Sequence, residues 1–146
     1  PLGCMLRTMV ASEKYLSEKG LPKTPFDLEQ HHLLGGNDLI ADSKLVLRSK
    51  NEVITVPYYP RLRLKDHVAA RTAAICGLGI SVHTFQYDTW EYVRRGQLCE
   101  VLPEWKPEPS PVSLLLPQNK TLSSASRTLA DFIEERWKSH PHLTHD

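Results

Sequence analysis

The chain has 146 residues, enough for one compact domain that buries roughly 70% of its unfolded surface. Hydrophobic residues make up 40% of it and charged residues 24%, which excludes a disordered chain and a fibrous repeat. Its 18 basic residues nearly balance 17 acidic ones, so it lacks the basic excess of a domain that grips nucleic-acid phosphates, and we expect no direct DNA binding.

The first half of the chain predicts short strands and helices with clear caps. Ser12, Thr24 and Asp66 stand at N-cap positions, and Gly20 and Gly77 stop the helices that follow Ser12 and Asp66. In chain order the pattern predicts a strand over 5–10, a helix over 13–19, a single turn from Pro25, a strand at Leu33-Leu34, a hairpin of Lys44–Arg48 with Glu52–Val56, a strand over 62–64 and a helix between Asp66 and Gly77.

The second half continues the alternation around a proline-rich stretch. It predicts strands over Ile80–Val82, Leu98–Leu102 and Val112–Leu116, and helices over Asp88–Arg95 and Ser123–Trp137. Residues 103–111 hold four prolines, so they can form neither a helix nor a central strand, and we expect a connection between two lobes there. Strands that alternate with helices indicate the α/β class.

Short motifs run through most of the chain in a fixed order. They are Arg7, Val10-Ala11-Ser12, Tyr15-Leu16, Gly20, Pro22, Pro25, Asp27-Leu28, His31, Ala73-Ala74, Gly77-Leu78-Gly79-Ile80, Gly96-Gln97-Leu98, Val101-Leu102-Pro103, Trp105, Pro117, Ser123, Arg127, Leu129 and Asp131-Phe132-Ile133. In this order and spacing they resemble the co-inducer-binding domain of LysR-type bacterial transcription regulators. Each piece alone is weak, since a Gly-Leu-Gly turn occurs in many folds.

The resemblance implies a type 2 periplasmic-binding-protein-like fold, with the second lobe complete and only the returning strand and helix of the first lobe. Its expected parts are a hinge strand from the first lobe over 1–9, the second regulatory lobe over 10–108, the returning strand and C-terminal helix over 109–139, and a tail over 140–146. In the family a winged helix-turn-helix and a long dimerising helix come before this region. We therefore expect DNA contact only through a helix-turn-helix that these residues lack.

The resemblance also implies the function of an effector sensor, with no enzymatic activity. A small, anionic molecule is expected in the cleft between the lobes, where its binding modulates DNA binding and transcription. The family's contacts imply an effector site at Leu64, Lys65, Asp66, Ser81 and His83. Lys65 precedes a helix start, where backbone N–H groups favour anions, so its ammonium is placed to pair with a carboxylate. The alternative is a solvated surface lysine.

Cysteines and histidines give no sign of a catalytic or metal centre. Cys4, Cys76 and Cys99 lack CxxC spacing, and we expect Cys76 and Cys99 to be buried small hydrophobes in a reducing cytoplasm. His31 and His32 are adjacent and make a poor metal pair, so one of them is expected to be a hydrogen-bonded structural residue. The remaining candidates lie in a polar tail that we expect to be unstructured: His140, His142 and His145. We expect no metal and no cofactor.

Two other function classes remain open. A solute-binding protein of a transport system would use a related fold, but the start of the chain carries no signal peptide and the cysteine count is odd, which favours the regulator. An enzyme on the same scaffold would need a nucleophile or paired carboxylates that the pattern does not provide. No apolar run approaches the ~20 residues of a membrane span, so no membrane partner is expected.

The last predicted helix carries an apolar face that needs a cover. Its large side chains recur at helical spacing: Leu122, Leu129, Phe132, Ile133 and Trp137. In the family this helix packs on a first-lobe sheet built mainly from residues outside this chain, and the same lobe supplies contacts between subunits. We therefore expect a homo-oligomer.

Overall fold

The computed structural model describes residues 1–35, 43–116, 123–141 and 143–144. Contacts divide the chain into two units, one formed by Pro1–Leu6 with Pro109–Asp146 and the other by Arg7–Glu108. The assignment of 1–9, 10–108 and 109–139 to particular lobes stays a prediction. Some positions used in the sequence argument lie outside the described residues: Pro117, Leu122, His142 and His145.

The helices begin at capping residues. Within the described ranges they are α1 (Glu13–Lys19), α2 (His67–Ile75), α3 (Gln86–Arg94) and α4 (Ser124–Lys138), with a 3-10 helix over Pro25–Gln30. The Ser12 Oγ accepts a hydrogen bond from the Tyr15 N–H at 3.2 Å, and Gly20 ends α1 with a φ of 88°. Helix α3 starts two residues earlier than predicted, because Phe85, the last residue of a strand, is itself the N-cap.

The strands form three small sheets in the described part of the chain. They are β1 (Gly3–Met5), β2 (Arg7–Ala11), β3 (Leu33–Gly35), β4 (Lys44–Arg48), β5 (Val53–Pro57), β6 (Leu62–Arg63), β7 (Ile80–Phe85), β8 (Cys99–Glu100), β9 (Lys106–Pro107), β10 (Ser110–Val112) and β11 (Leu143–Thr144). The sheet orders are β6-β3-β7-β2-β8, β5-β4-β9 and β10-β1-β11. In the five-stranded sheet β3 runs parallel to β6 and β7, whereas β2 is antiparallel to β7 and β8.

The proline-rich stretch of residues 103–111 contains neither a helix nor a central strand, as expected, because its short strands β9 and β10 lie at sheet edges, where a missing proline N–H is tolerated. Two other expectations about the carboxyl-terminal part of the chain were wrong. The strand predicted over Val112–Leu116 is instead β10, which ends at Val112, and Leu115 is 89% exposed. The tail, expected to be unstructured, includes β11, because its backbone pairs with β1.

The larger unit buries both faces of its five-stranded sheet. Neighbouring residues of a strand point to opposite faces, so Met9 joins one buried cluster with the β4–β5 hairpin while Val10 joins another with α2. Leu33 and Leu34 divide in the same way. Burying such side chains stabilises the unit by roughly 1.5 to 3 kcal/mol each. Helix α2 is thereby fixed against the sheet.

Two further observations bear on the sequence argument. Cys76 is exposed, contrary to expectation, because it caps the end of α2 after the last residues that face the sheet; Cys99 is only half-buried. No helix among the described residues is long and apolar enough to cross a lipid bilayer.

Candidate functional site

The carboxyl ends of three parallel strands meet at one edge of the five-stranded sheet. Strands β3, β6 and β7 all run in the same direction, and three residues separate the end of β6 from the start of α2. The Leu64 N–H donates to the Gly35 carbonyl at 2.9 Å, which ties this connection to the end of β3. Ligands of α/β sheets bind outside such carboxyl ends, and here the amino terminus of a helix lies at the same edge.

A cavity of about 200 Å³ opens at this edge, lined by Arg7, Lys65, Asp66, His67, Ala70, His83 and Phe85. The Arg7 Nη1 lies 2.8 Å from the His83 Nδ1, and the Arg7 guanidinium lies 5.7 Å from the centroid of the Phe85 ring. The His67 ring contacts Phe85 edge-on at 5.1 Å, and Tyr87 stacks on Phe85 at 5.7 Å. These contacts hold one cation and several rings in defined positions around the cavity.

The protonation state of His83 follows from its partner. Arginine only donates hydrogen bonds, so the Nδ1 of His83 accepts from Arg7 and must carry a lone pair. The ring is therefore neutral in this arrangement, with its proton on Nε2. At this contact the guanidinium of Arg7 donates to a neutral acceptor.

The remaining charges of the cavity also favour an anion. Lys65 is exposed, and no described carboxylate forms an ion pair with it. The Asp66 Oδ1 accepts from the Ala69 N–H at 2.8 Å, so this carboxylate is engaged in capping α2. With two cations and one carboxylate, the lining has a net positive charge, and the amino terminus of α2 adds to it.

The structure brings together three of the five site residues predicted from the sequence. Lys65, Asp66 and His83 line the cavity, whereas Leu64 and Ser81 do not. Leu64 packs against the buried cluster beside α2. Ser81 is fully buried, and its register partners Val10 and Leu34 belong to that same cluster, so its side chain lies beneath α2.

Four residues that line the cavity were not among the predicted site residues: Arg7, His67, Ala70 and Phe85. Phe85 could have been predicted from the alternation of side chains along a strand, since residues 83 and 85 of β7 point to the same face. Arg7 pairs with Phe85 across two antiparallel strands, a register that depends on tertiary structure. His67 is the first residue of α2 and directly follows the predicted cap.

Curated relatives of the chain are transcription regulators. A probable HTH-type transcriptional regulator, LtrA of Klebsiella pneumoniae, is 30% identical over 141 residues, which cover 92% of this chain and 44% of that protein. An uncharacterised HTH-type regulator of Escherichia coli, YhjC, is 32% identical over 84% of this chain and 42% of its own length. The chain thus spans less than half the length of these relatives, which are regulators and not enzymes.

Solved structures confirm the predicted fold. The regulatory domain of AphB from Vibrio vulnificus is 26% identical with a TM-score of 0.75, covering 90% of this chain and 65% of that one. CrgA, a LysR-type transcriptional regulator from Neisseria meningitidis, is 18% identical with a TM-score of 0.71, covering 92% and 46%, and shows the fold alone. Residues 3–138 match the family of LysR substrate binding domains, and the chain therefore belongs to that family of effector-sensing domains.

Proposed function

We propose that the cavity at the carboxyl ends of β3, β6 and β7 binds the anionic group of a small effector molecule. The observation that supports this most directly is the set of Arg7, Lys65 and His83 beside the amino terminus of α2. The two cations converge on one cavity, and no described ion pair joins Lys65 to a carboxylate. Charge-assisted hydrogen bonds to a carboxylate are about twice as strong as neutral ones, so an acid binds there better than its amide.

The cavity walls also favour an effector with an apolar part. Phe85 forms one wall, and Tyr87 and His67 support its ring by stacking and edge contacts. A small number of placed polar groups on an apolar background is the usual composition of small-molecule sites. The proposed effector is therefore a small organic acid.

In a complete regulator, occupancy of this site would modulate DNA binding and transcription. The curated relatives carry helix-turn-helix in their names, and this chain has a net charge of only +1, without the basic excess of a domain that grips DNA phosphates. DNA contact is proposed through a helix-turn-helix outside these 146 residues, in the cytoplasm where such a regulator meets its promoters. A transport role has no support among the relatives, which are regulators.

Calorimetric titration of the chain with small carboxylates and their matching amides tests the proposal. Lys65→Ala should raise the Kd of a bound acid roughly ten- to a hundredfold, because a hydrogen bond to a charged group contributes about 1.5 to 3 kcal/mol. Lys14→Ala is the matched control, since Lys14 is also exposed but lies on α1, away from the cavity. In a full-length regulator, Lys65→Ala should weaken the effector response and leave basal DNA binding intact.

Two results would contradict the assignment. Equal affinity for an acid and its amide would show that charge does not govern recognition. If Lys65→Ala leaves the Kd of the acid unchanged while Lys14→Ala weakens its binding, the acid binds elsewhere on the chain.

A further inference from the structure

A second cavity lies at the opposite edge of the same parallel strands. It has a volume of about 340 Å³. Its lining includes His32 and Arg61, which directly precede β3 and β6, and Leu78, which lies two positions before β7. The amino ends of parallel strands meet at one edge, just as their carboxyl ends meet at the other. This cavity is therefore separated by the length of the strands from the one assigned to the effector.

Its polar residues are connected to one another and to β3 by hydrogen bonds. The Arg61 N–H donates to the Leu33 carbonyl at 2.9 Å, which fixes the backbone of Arg61 to β3. The Arg61 Nη1 lies 2.6 Å from the His32 Nε2, and the His32 N–H donates to the Tyr15 Oη at 2.9 Å. Tyr15 also bonds the His31 ring at 3.1 Å, so the phenol connects both histidines to α1.

Among the described residues, no carboxylate forms an ion pair with the cations of this cavity. These cations are Lys19 and Arg61, which line it together with one acidic residue, Glu18. Burial, followed by the charges of Arg61 and Lys19, lowers the pKa of His32, so its ring is neutral near pH 7 and accepts from Arg61. The Arg61 charge is thus directed to a neutral acceptor.

The other wall of the cavity is apolar and open to solvent. Leu62 is 37% exposed and Leu78 is 50% exposed, while Leu34 is buried behind them. Exposed leucines beside the cations Lys19 and Arg61 form an amphipathic cavity. Its volume falls in the range of about 300 to 1,000 Å³ that small-molecule sites have. A ligand that matches both walls carries an anionic head and a short apolar body.

We propose that this cavity is a second binding site, for a small organic acid with one carboxylate and a short apolar chain. The carboxylate pairs with Arg61 and Lys19, and the apolar chain covers Leu62 and Leu78. The guanidinium of Arg61 provides the planar donor pair that a carboxylate takes up with two parallel hydrogen bonds. The inference does not depend on the proposed effector site, since the two cavities share none of their lining residues.

Nuclear magnetic resonance of the uniformly ¹⁵N-labelled chain, titrated with pentanoate and with pentanamide, tests this site. Pentanoate should shift the backbone amides of Lys19, Leu62 and Leu78 saturably, and pentanamide should not. Arg61→Gln should raise the Kd at these amides by about tenfold or more, because it removes a charge-assisted bidentate contact. Arg63→Gln is the matched control, since Arg63 is exposed at the end of β6, two positions after Arg61, and does not line the cavity.

Several outcomes would overturn the proposal. The first is the absence of any saturable shift at these amides at about 10 mM pentanoate, which is roughly tenfold above a millimolar Kd. The second is shifts of equal size with pentanamide. The third is an equal loss of pentanoate affinity in Arg61→Gln and Arg63→Gln. If Arg61→Gln does not fold, Lys19→Gln decides, because Lys19 is exposed on the last turn of α1. The amides of Lys65 and His83 report binding at the proposed effector site in the same spectra, so the two sites are tested independently.

Discussion

Asp88→Asn should strongly destabilise the larger unit. The Arg71 side chain on α2 is 13% exposed and that of Asp88 on α3 is 15% exposed, and a salt bridge joins them. The pairing is monodentate, since the Arg71 Nε and the Asp88 Oδ2 are buried without a hydrogen-bond partner among the described residues. Neutralising the carboxylate leaves a buried guanidinium uncompensated, which costs about 3 to 5 kcal/mol.

We expect the lower end of that range, about 3 kcal/mol, because the asparagine oxygen can still accept from Arg71 and Tyr92 lies 4.7 Å below the guanidinium. With a urea m-value of about 1 to 3 kcal/mol/M, the unfolding midpoint should fall by roughly 1 to 3 M. Fluorescence-monitored urea unfolding measures this shift. The free energy of unfolding should change, whereas the m-value should stay the same.

Glu91→Gln is the control for an exposed ion pair on the same helix as Asp88. Glu91 pairs with Arg94 and Arg95, whose side chains are 65% and 64% exposed, so solvent screens the pair and its loss should hardly move the unfolding midpoint. Replacing both partners, Arg71→Met with Asp88→Leu, should restore most of the stability, because apolar residues of similar volume often substitute for a buried pair without loss. If Asp88→Asn costs no more than Glu91→Gln, the burial argument is refuted.

Three further predictions concern pH, association and DNA. Burial lowers the pKa of His31 from the ordinary 6.5, so the unfolded chain binds this proton more readily, and the free energy of unfolding should decline as the pH falls below about 6.5; His31→Gln should flatten this decline in pH-dependent denaturation. Leu129 is 58% and Phe132 55% exposed on α4, so light scattering should show concentration-dependent self-association that Phe132→Glu reduces. A gel shift with the chain alone should give no promoter-selective band at physiological salt.

The elements that the sequence predicted best are those marked by local chemistry. The helix capped by Ser12, the turn at Pro25 and the β4–β5 hairpin all appear with boundaries within a residue or two of the predicted ones. Each is fixed by interactions within a few residues, such as an N-cap hydrogen bond or a short turn. The strand predicted at 112–116 failed, because its apolar run says nothing about which backbone is available to pair with it; β1 is in register with Ser110–Val112 instead.

In the candidate site, too, residues marked by local sequence patterns differ from those placed by tertiary structure. Lys65 and Asp66 were predicted beside a helix start, which marks an anion-favouring position in the sequence, and both line the cavity. Ser81 lies outside the cavity lining, because strand alternation leaves open which face lies beneath a helix, and only the packing of α2 on Val10 and Leu34 decides it. Arg7 reaches the cavity through a pairing between residues 78 positions apart, which no local pattern encodes.

The orientation of Arg7 depends on Gly35, through the rings of Tyr58 and His83. A Cβ at Gly35 would overlap the phenol oxygen of Tyr58, so the glycine leaves the space that this ring fills at the end of β3. Tyr58, which is 1% exposed, contacts the His83 ring edge-on at 5.8 Å, and His83 in turn accepts from Arg7. Because buried rings are close-packed, each member limits the rotamers of the next. The cation that we assign to effector binding is thus positioned from beneath by the core, which keeps its guanidinium in place before an anion arrives.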